Sequence, residues 1–338
     1  MQKELTFPKW INHKTFGIFI SILFLILIFY NININQFISS IKSFNIKYAL
    51  PAIIIYALSY IIRTFRWRQL LSVSKKISFL GVLKALYIGY MANTLLPARM
   101  GELYRAHIIG TEQKITRSGA LGSIVAERIF DGLTLVSLMI ILIMFFYKSP
   151  LLVHICIVTS LIFLTGLAVI VFISRSENLN YSFITGILKA LPEFLQNKIE
   201  KILKSFIVGL GVITSFRSLL FIVFTSICAW FLEWTTIFCI ISGFDIPTKV
   251  TPLTVAFLIV LVAFSTMIPS GPAFIGPYQY AFILALDLSA VPKDTALAIA
   301  IATQFIMIGP VVLIGLILSW HSHLSLKELP EESQSETT

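Results

Sequence analysis

Residues 93–105 read Asn-Thr-Leu-Leu-Pro-Ala-Arg-Met-Gly-Glu-Leu-Tyr-Arg and interrupt a region that is otherwise apolar enough to lie in a bilayer. Pro97 removes a backbone donor and stops a helix that arrives from the preceding residue, and Gly101 adds backbone freedom. Three charged side chains are placed where charge is costly, namely Arg99, Glu102 and Arg105. A broken helix with charged side chains is tolerated at that depth only where protein or water covers it. This stretch therefore predicts a functional site inside a membrane.

Composition places the whole chain in the membrane class. Of its 338 residues, 57% are hydrophobic and 12% are charged, and the mean hydropathy is +0.90. Soluble domains carry about 25% charged residues, so we expect a polytopic membrane protein. The net charge of +10 is explained by topology, and nucleic-acid binding is not expected because no long soluble segment carries a basic groove. Three cysteines in apolar runs and five scattered histidines predict neither a metal site nor a cofactor.

Hydrophobic patterning predicts an all-α protein with eight hydrophobic segments. They lie at residues 16–30, 48–62, about 81–112, 119–147, 151–173, 218–241, about 251–288 and 295–320. Six of them are predicted to span the membrane, and the two interrupted ones, about 81–112 and about 251–288, are predicted to be re-entrant hairpins. Residues 31–47 are interpreted as a polar connector and residues 63–76 as a basic loop.

Comparison of the two halves predicts an inverted repeat. Half one covers residues 1–150 and half two covers residues 151–323, and the motifs Asn93-x-x-x-Pro97 and Ser265-x-x-x-Pro269 hold matching places. Three crossings in each half force a duplicated second half to insert upside down, and transporters built in this way bind substrate between broken helices. The alternative is that both breaks are ordinary kinks in straight spans.

Charge asymmetry sets the expected orientation. With the N-terminus in the cytoplasm, only five of the 26 basic residues fall outside, namely Lys42, Lys47, Lys148, Lys249 and Lys293. Both termini are therefore predicted to be cytoplasmic. Residues 187–207 have apolar positions at helical spacing and predict an amphipathic helix, either on the cytoplasmic membrane surface or packed on the bundle. The acidic, Ser-rich tail at residues 324–338 is predicted to be disordered.

Four motifs carry a family resemblance. They are Arg63-x-x-Arg66-Trp67, Asn93-x-x-x-Pro97-x-Arg99-x-Gly101-Glu102-x-x-Arg105, Glu127-Arg128-x-x-Asp131 and the turn from Pro269 to Gly276. With them the chain resembles the lysylphosphatidylglycerol synthase transmembrane region, also called the flippase-like membrane family. The resemblance implies a bacterial or archaeal plasma (inner) membrane protein related to the lipid-moving part of those synthases. The synthases carry a soluble aminoacyl-transfer domain after this region, whereas only a short tail follows Trp320 here, so the synthase reaction is not expected.

The predicted substrate-binding residues surround the two breaks. They are Asn93, Pro97, Arg99, Gly101, Glu102, Arg105, Pro269, Gly271, Gly276, Tyr278 and Gln279. Arg99 is predicted to hold a lipid phosphate, assisted by the following helix N-terminus; the alternative is an Arg-Glu-Arg ladder that only fixes the hairpin. Gln279 stands where the family often has an acidic residue, which would change or remove a role in proton coupling or in binding a cationic headgroup.

Five further charged residues are predicted to support the site. They are Arg66, Glu127, Arg128, Asp131 and Glu233. The group from Glu127 to Asp131 is interpreted as a scaffold that pairs with Arg99 and Arg105 across helices. The basic residues around Arg66 are interpreted mainly as a topology signal, and Glu233 as a proton carrier or a protonated group alone in its span.

Two classes of function remain open. The first is a transporter that moves an anionic phospholipid or lipid-linked headgroup between leaflets, with membrane lipids as its partners. The second is a membrane enzyme, or an enzyme subunit bound to a glycosyltransferase, for aminoacyl or glycosyl transfer to lipid. We find no metal-ligand spacing, phosphate-binding Gly loop or nucleophile beside a histidine, so no catalytic residues are assigned and the transporter is preferred.

Overall fold

The structure of the chain is a computed structural model. This structure describes residues 13–30, 32–71, 77–96, 100–146, 157–168, 200, 204, 216–268 and 270–322. The predicted helix at 187–207, apart from residues 200 and 204, and the predicted tail at 324–338 lie outside these ranges.

Every regular element in the described residues is helical, which confirms the predicted all-α class. The helices are α1 (His13–Phe29), α2 (Ile34–Ser43), α3 (Ala49–Leu71), α4 (Phe79–Leu95), α5 (Gly101–Gln113), α6 (Arg117–Phe146), α7 (Ile157–Ala168), α8 (Phe216–Ser242), α9 (Pro252–Ser265), α10 (Pro277–Asp287) and α11 (Lys293–His321). Short 3-10 turns occupy Ile46–Tyr48 and Pro272–Phe274.

Several helices have the length and composition to cross a bilayer. Within the described residues three qualify, namely Ile46–Leu71, Phe216–Ser242 and Lys293–His321. The pair Ile18–Phe29 and Ile34–Ser43, bent by 93°, makes a fourth if it is counted as one span. The chain is thus a multi-pass membrane protein, while the predicted total of six spans and two re-entrant segments stays a prediction.

Two segments that were expected to be irregular are helical. The predicted connector at 31–47 contains α2, because the side chain of Asn33 caps the backbone N–H of Gln36 and apolar residues follow at helical spacing. The predicted basic loop at 63–76 begins instead as the last turns of α3, which continues to Leu71. Arg63 and Arg66 do not end this helix, because both side chains are buried and paired inside the protein.

The first interrupted segment forms a helical hairpin of α4 and α5. The Nζ atom of Lys84 lies 2.5 Å from Oε1 of Glu112, and the backbone N–H of Ser78 donates to the side chain of Gln113 at 3.3 Å. These contacts join the start of α4 to the end of α5, so the two helices run in opposite directions. At 17 residues α4 is about 25 Å long, which is less than the ~30 Å hydrocarbon core of a bilayer.

The second interrupted segment is a hairpin of α9 and α10. The side chain of Thr251 caps the N-terminus of α9 at Thr254, and the hydroxyl of Thr254 hydrogen bonds to that of Ser289 at 2.8 Å. The start of α9 therefore meets the end of α10. With 14 and 11 residues, neither helix is long enough to cross a bilayer alone.

Two compact units divide the chain, and each contains separated segments. The first unit comprises Met1–Tyr56, Tyr90–Gly101 and Trp234–Ile317. The second unit comprises Ala57–Gly89, Glu102–Glu233 and Leu318–Thr338. The predicted halves at 1–150 and 151–323 and their inverted relation stay predictions.

Candidate functional site

Arg66 occupies the centre of a buried ion network in the second unit. It projects from α3 and its side chain is fully buried. One Nη atom donates to Oδ1 of Asp131 at 2.6 Å and to the hydroxyl of Ser226 at 2.9 Å. The other Nη atom donates to Oε1 of Glu127 at 2.8 Å and to Oδ2 of Asp131 at 3.1 Å. One guanidinium thus connects α3, α6 and α8.

Glu127 is shared between two arginines. Its second carboxylate oxygen accepts a 2.7 Å hydrogen bond from Arg105 of α5, and both side chains are fully buried. The guanidinium of Arg105 lies 4.0 Å from the ring centroid of Trp67, where the aromatic face favours a cation. The indole N–H of Trp67 donates to Ser123 at 3.1 Å and fixes the ring. Glu127 and Trp67 therefore hold α5 against α3 and α6.

A second ion pair lies on the α8 side of the network. Arg63 donates to Glu233 at 2.5 Å, and the two side chains are 7% and 17% exposed. The guanidinium of Arg63 lies 5.5 Å from the ring centroid of Trp230. The same indole donates its N–H to Asp131 at 3.2 Å, which links this pair to the central one.

The most exposed pair of the network joins Arg128 of α6 to Glu102 of α5. Their N–O distance is 3.1 Å, and the side chains are 33% and 28% exposed. Arg128 also lies 3.7 Å from Asp131. The network thus has a buried interior around Arg66 and an accessible edge at Arg128.

Charges balance across this network. Among the described residues it holds four arginines and four carboxylates, namely Arg63, Arg66, Arg105 and Arg128 with Glu102, Glu127, Asp131 and Glu233. Attraction between such groups offsets the loss of hydration only while every charge keeps its partner. An incoming anion competes with these carboxylates for the guanidinium groups, and the exposed pair of Arg128 and Glu102 is the most accessible to it.

The second break, in the first unit, is held by neutral groups. The hydroxyl of Ser21 accepts from the backbone N–H of Gly271 at 2.7 Å and donates to the carbonyl of Ile275 at 2.8 Å. Ser21 therefore ties both ends of the turn to α1. Gly276 has φ +101°, and a Cβ added there would lie 2.8 Å from Cβ of Phe24.

Two amide side chains complete the second break. Gln279 accepts from the backbone N–H of Gly276 at 2.7 Å and donates to Gln304 at 2.7 Å. Gln304 in turn donates to the carbonyl of Ala273 at 2.6 Å. Ala273 and Phe274 have φ values of 56° and 58°, which non-glycine residues seldom adopt. The amide pair holds a strained turn in place.

Nine of the eleven predicted substrate-binding residues fall into three groups. Pro97, Arg99 and Pro269 lie outside the described residues. Glu102 and Arg105 enter the ion network together with all five predicted supporting charges. Gly271, Gly276, Tyr278 and Gln279 belong to the second break and the start of α10.

The remaining two predicted residues lie at the ends of the first break. Gly101 is the first residue of α5 and is buried. Asn93 is in the last turn of α4, and its buried side-chain oxygen has no hydrogen-bond partner in the part of the chain that the structure describes.

The structure bears on several detailed interpretations. Arg63 and Arg66 lie in α3 rather than in a loop, and both are buried and paired inside the protein, while their interpretation as a topology signal stays a prediction. Glu233 is the single charged residue of segment 218–241, and Arg63 reaches it from α3. The expected pairing of Glu127 with Arg105 across helices is found. The alternative ladder of Arg99, Glu102 and Arg105 stays a prediction, because Arg99 lies outside the described residues; Glu102 also pairs with Arg128.

Sequence reasoning missed Ser21 and Gln304 entirely. Both are ordinary polar residues within apolar helices, and they become noticeable only through their partners at the second break. A polar amide inside an otherwise apolar 29-residue helix was the available signal for Gln304.

Comparison with known families assigns the chain. The family described as the lysylphosphatidylglycerol synthase TM region matches residues 15–315, nearly the whole membrane part. The chain belongs to this family. Two UPF0104 membrane proteins of Methanocaldococcus jannaschii are similar to it. One is 25% identical over 242 residues, which cover 72% of this chain and 98% of the relative. The other is 20% identical over 307 residues, which cover 88% and 91%.

A third relative shares only one segment with this member of the lysylphosphatidylglycerol synthase TM-region family. The protein named glycosyltransferase AglD of Haloferax volcanii is 29% identical over 125 residues. The match covers 36% of this chain and 20% of the glycosyltransferase. It links part of the family's membrane region to a protein with a glycosyltransferase name.

Proposed function

We propose that this chain moves an anionic lipid between the leaflets of the plasma membrane of a bacterium or archaeon. In this proposal the termini are cytoplasmic and both helical hairpins are re-entrant. The observation that carries the proposal is the ion network around Arg66, which has an accessible edge at Arg128 and Glu102. Ionisable groups buried in a membrane protein commonly line the path of a polar or charged substrate.

The hairpins give independent support. Each is made of helices that are too short to cross a bilayer, and each is interrupted by proline and glycine residues. Transporters bind substrates at such discontinuous helices, because the freed backbone groups and helix ends can interact with a headgroup. Membership of the lysylphosphatidylglycerol synthase TM-region family is consistent with lipid as the substrate.

Arg128 is the residue that we assign to the lipid phosphate. All four arginines of the network have carboxylate partners, so phosphate binding requires an exchange of partners. Opening a buried pair costs about 3–5 kcal/mol, whereas a solvated pair such as Arg128 with Glu102 contributes about 0–1 kcal/mol. The phosphate takes the place of Glu102 on the guanidinium of Arg128, and Glu102 turns to water.

Leaflet exchange in reconstituted vesicles tests this proposal. A fluorescent phosphatidylglycerol is incorporated, and the fraction that a membrane-impermeant reductant bleaches is followed over time, beside the same measurement with phosphatidylcholine. Wild-type chain is expected to speed exchange of the anionic probe over protein-free vesicles. Arg128→Ala is expected to slow it by about 10-fold or more, because one charge-assisted hydrogen bond contributes about 1.5–3 kcal/mol.

Matched variants make the result specific. Arg68→Ala is the same truncation of an arginine, but it lies on α3 and outside the ion network. This variant is expected to keep the wild-type rate of lipid exchange. Glu102→Gln is expected to keep or raise the rate, because it weakens the partner that the phosphate replaces. Arg99→Ala tests the phosphate role predicted from sequence. Wild-type exchange by Arg128→Ala, in a protein with a wild-type unfolding temperature, would refute the assignment.

The partial match to glycosyltransferase AglD favours a second candidate, a membrane subunit for lipid modification. Purified chain is incubated with membrane lipid and a nucleotide-activated or lipid-linked sugar, and the lipids are analysed by mass spectrometry. The transport proposal predicts unchanged lipid. A glycosylated lipid that forms with active protein and does not form with heat-inactivated protein would favour catalysis over transport.

A further inference from the structure

Helix α2 carries an apolar stripe that the protein leaves exposed. Its ten residues read Ile-Asn-Gln-Phe-Ile-Ser-Ser-Ile-Lys-Ser, and none of them is buried. Ile34, Ile38 and Ile41 are 65%, 43% and 41% exposed. At about 100° per residue these three side chains lie within about 60° of one another. They form one narrow face of the helix.

The neighbouring faces of α2 have different surroundings. On one flank, the hydroxyl of Ser40 hydrogen bonds to that of Thr295 at 3.0 Å, so this side of the helix contacts α11. On the other flank lie the exposed polar residues Asn35, Ser39 and Lys42. The apolar stripe therefore lies between a protein-facing side and a polar side. This is the arrangement of a helix that rests at a boundary between water and an apolar phase.

Both ends of α2 are fixed where membrane-crossing helices begin or end. The backbone N–H of Asn33 donates to Asp294, in the first turn of α11, at 2.7 Å. The backbone N–H of Asn45 donates at 2.8 Å to the carbonyl of Gly243, directly after the end of α8. The spanning segment Ile46–Leu71 starts one residue later. α2 is thus held at the level of three span ends.

Helix α1 ends at the same level, and the chain then bends sharply into α2. α1 and α2 meet at 93°. The ammonium group of Lys293 donates to the carbonyls of Leu27 and Tyr30 at 3.1 and 3.0 Å, which satisfies backbone acceptors at the end of α1. Since α1 ends where α11 begins, a right-angle bend places α2 parallel to the membrane plane.

A continuation of the α1 span does not explain α2. Six of its ten residues are polar, namely Asn35, Gln36, Ser39, Ser40, Lys42 and Ser43. Hydrocarbon on all sides would leave most of these side chains without partners, at a high cost. Water on all sides would leave the isoleucine stripe exposed. Only the interface between water and the acyl chains suits both the polar face and the apolar face of α2.

We infer that α2 binds the surface of the lipid bilayer, with its apolar stripe between the acyl chains just below the headgroups. Its polar flank, which contains Lys42, faces the phosphates and water. Neither acidic residue type occurs in the helix, so nothing in it repels an anionic bilayer. The helix fixes the depth at which the ends of α1, α8 and α11 lie in the membrane. This inference is independent of the proposed transport.

Labelling along the helix tests the inference. Single cysteines replace Ile34, Ile38 and Ile41 on the stripe, and Asn35, Gln36 and Ser39 as controls on the same helix, after Cys156, Cys228 and Cys239 are changed to alanine. Each protein is labelled with a nitrobenzoxadiazole fluorophore and placed in vesicles of phosphatidylglycerol and phosphatidylethanolamine. Quenching by aqueous iodide is compared with quenching by lipids brominated near the headgroup.

The expected pattern has helical periodicity. Iodide is expected to quench the control positions at least about threefold more strongly than Ile38→Cys and Ile41→Cys, and the brominated lipid is expected to show the reverse order. Equal iodide quenching at all six positions would place α2 in water and overturn the inference. Uniform lipid quenching would make α2 part of a span and would also overturn it.

The remaining alternative is that a second copy of the chain, rather than lipid, covers the apolar stripe. Protection of Ile38→Cys from both quenchers, together with disulfide-linked dimers formed by this variant, would overturn the lipid assignment in favour of self-association.

A measurement on the wild-type chain, without substitutions, avoids the risk that the variants misfold. A phospholipid with a photoactivatable headgroup is expected to crosslink to the peptide at residues 32–45 in the wild-type chain, and absence of that product would contradict the inference.

Discussion

Around the α4–α5 hairpin the polar side chains are charged, whereas around the α9–α10 hairpin they are neutral amides and hydroxyls. Arg105 of the first hairpin is fixed by the carboxylate of Glu127. The second hairpin is fixed by Gln279, Gln304 and Ser21. Neutral hydrogen bonds contribute about 0.5–1.5 kcal/mol each, while a buried charge that loses its partner costs several kcal/mol. The α4–α5 hairpin is therefore fixed firmly, whereas the α9–α10 hairpin is held by hydrogen bonds that exchange at lower cost.

The largest effect is expected from the centre of the ion network. Arg66→Leu removes four hydrogen bonds to Asp131, Glu127 and Ser226, and it leaves two buried carboxylates without the cation that both of them share. We expect the free energy of unfolding to fall by about 3–5 kcal/mol, measured by denaturant or thermal unfolding in detergent micelles. Arg68→Leu, on the exposed side of α3, is the control; it removes a single hydrogen bond to the carbonyl of Ile77 and should lower the free energy of unfolding by about 1.5 kcal/mol at most. Equal effects of the two substitutions would remove the distinction between network and surface.

The strained backbone of the second break gives the next effect. Gly276→Ala places a Cβ at φ +101°, 2.8 Å from Cβ of Phe24 and 3.0 Å from the carbonyl of Ser21. Strain of this kind costs about 1–3 kcal/mol before the clash is counted, so we expect a loss near 3 kcal/mol. Scanning fluorimetry of the unfolding temperature measures it. Gly309→Ala is the matched control, because its Cβ meets nothing within 4 Å and its helix should gain up to about 1 kcal/mol.

The amide pair is expected to have a smaller effect than the ion network. Gln304→Leu removes the donor to Ala273 and the acceptor for Gln279, two neutral hydrogen bonds. Together these predict a loss of about 2 kcal/mol, measured by the same unfolding assay. Gln36→Leu on the exposed face of α2 removes the same amide and serves as control. A loss as large as that of Arg66→Leu would contradict the statement that neutral hydrogen bonds hold the second hairpin less firmly than charges hold the first.

The smallest effect is expected at the open end of the first hairpin. Lys84 and Glu112 are 25% and 31% exposed, so water screens their attraction. Lys84→Ala should lower the free energy of unfolding by at most about 1 kcal/mol, and salt should reduce that difference further. The exchanged pair Lys84→Glu with Glu112→Lys should restore the wild-type value. A loss above 2 kcal/mol would show that this contact also belongs to the firmly fixed part.

Local signals identified the breaks but not the partners of the charges. Pro97 and Gly101 correctly predicted where the first apolar segment is interrupted, since proline and glycine act on the backbone of their own neighbourhood. Arg63 and Arg66 were assigned to a loop, because nothing near them in sequence neutralises them. Their carboxylate partners lie 61 to 170 residues further along the chain.

α2 was missed for a different reason. Its asparagine and serine residues resemble a connector, and the single cap at Asn33 is a weak local signal. Its helical conformation is supported by bonds to α11 and to the residue after α8, which sequence does not place beside it.

The amino-acid sequence by itself determined the membrane environment, the helical class and the positions of the breaks. These follow from the average polarity of the chain and from the stereochemistry of single residues, which do not depend on distant partners. Only the tertiary structure decided that Arg66 is the centre of the ion network and that Gln304 holds the second turn. Pairing of buried polar groups depends on which helices pack together, and the cost of an unpaired group then selects that arrangement.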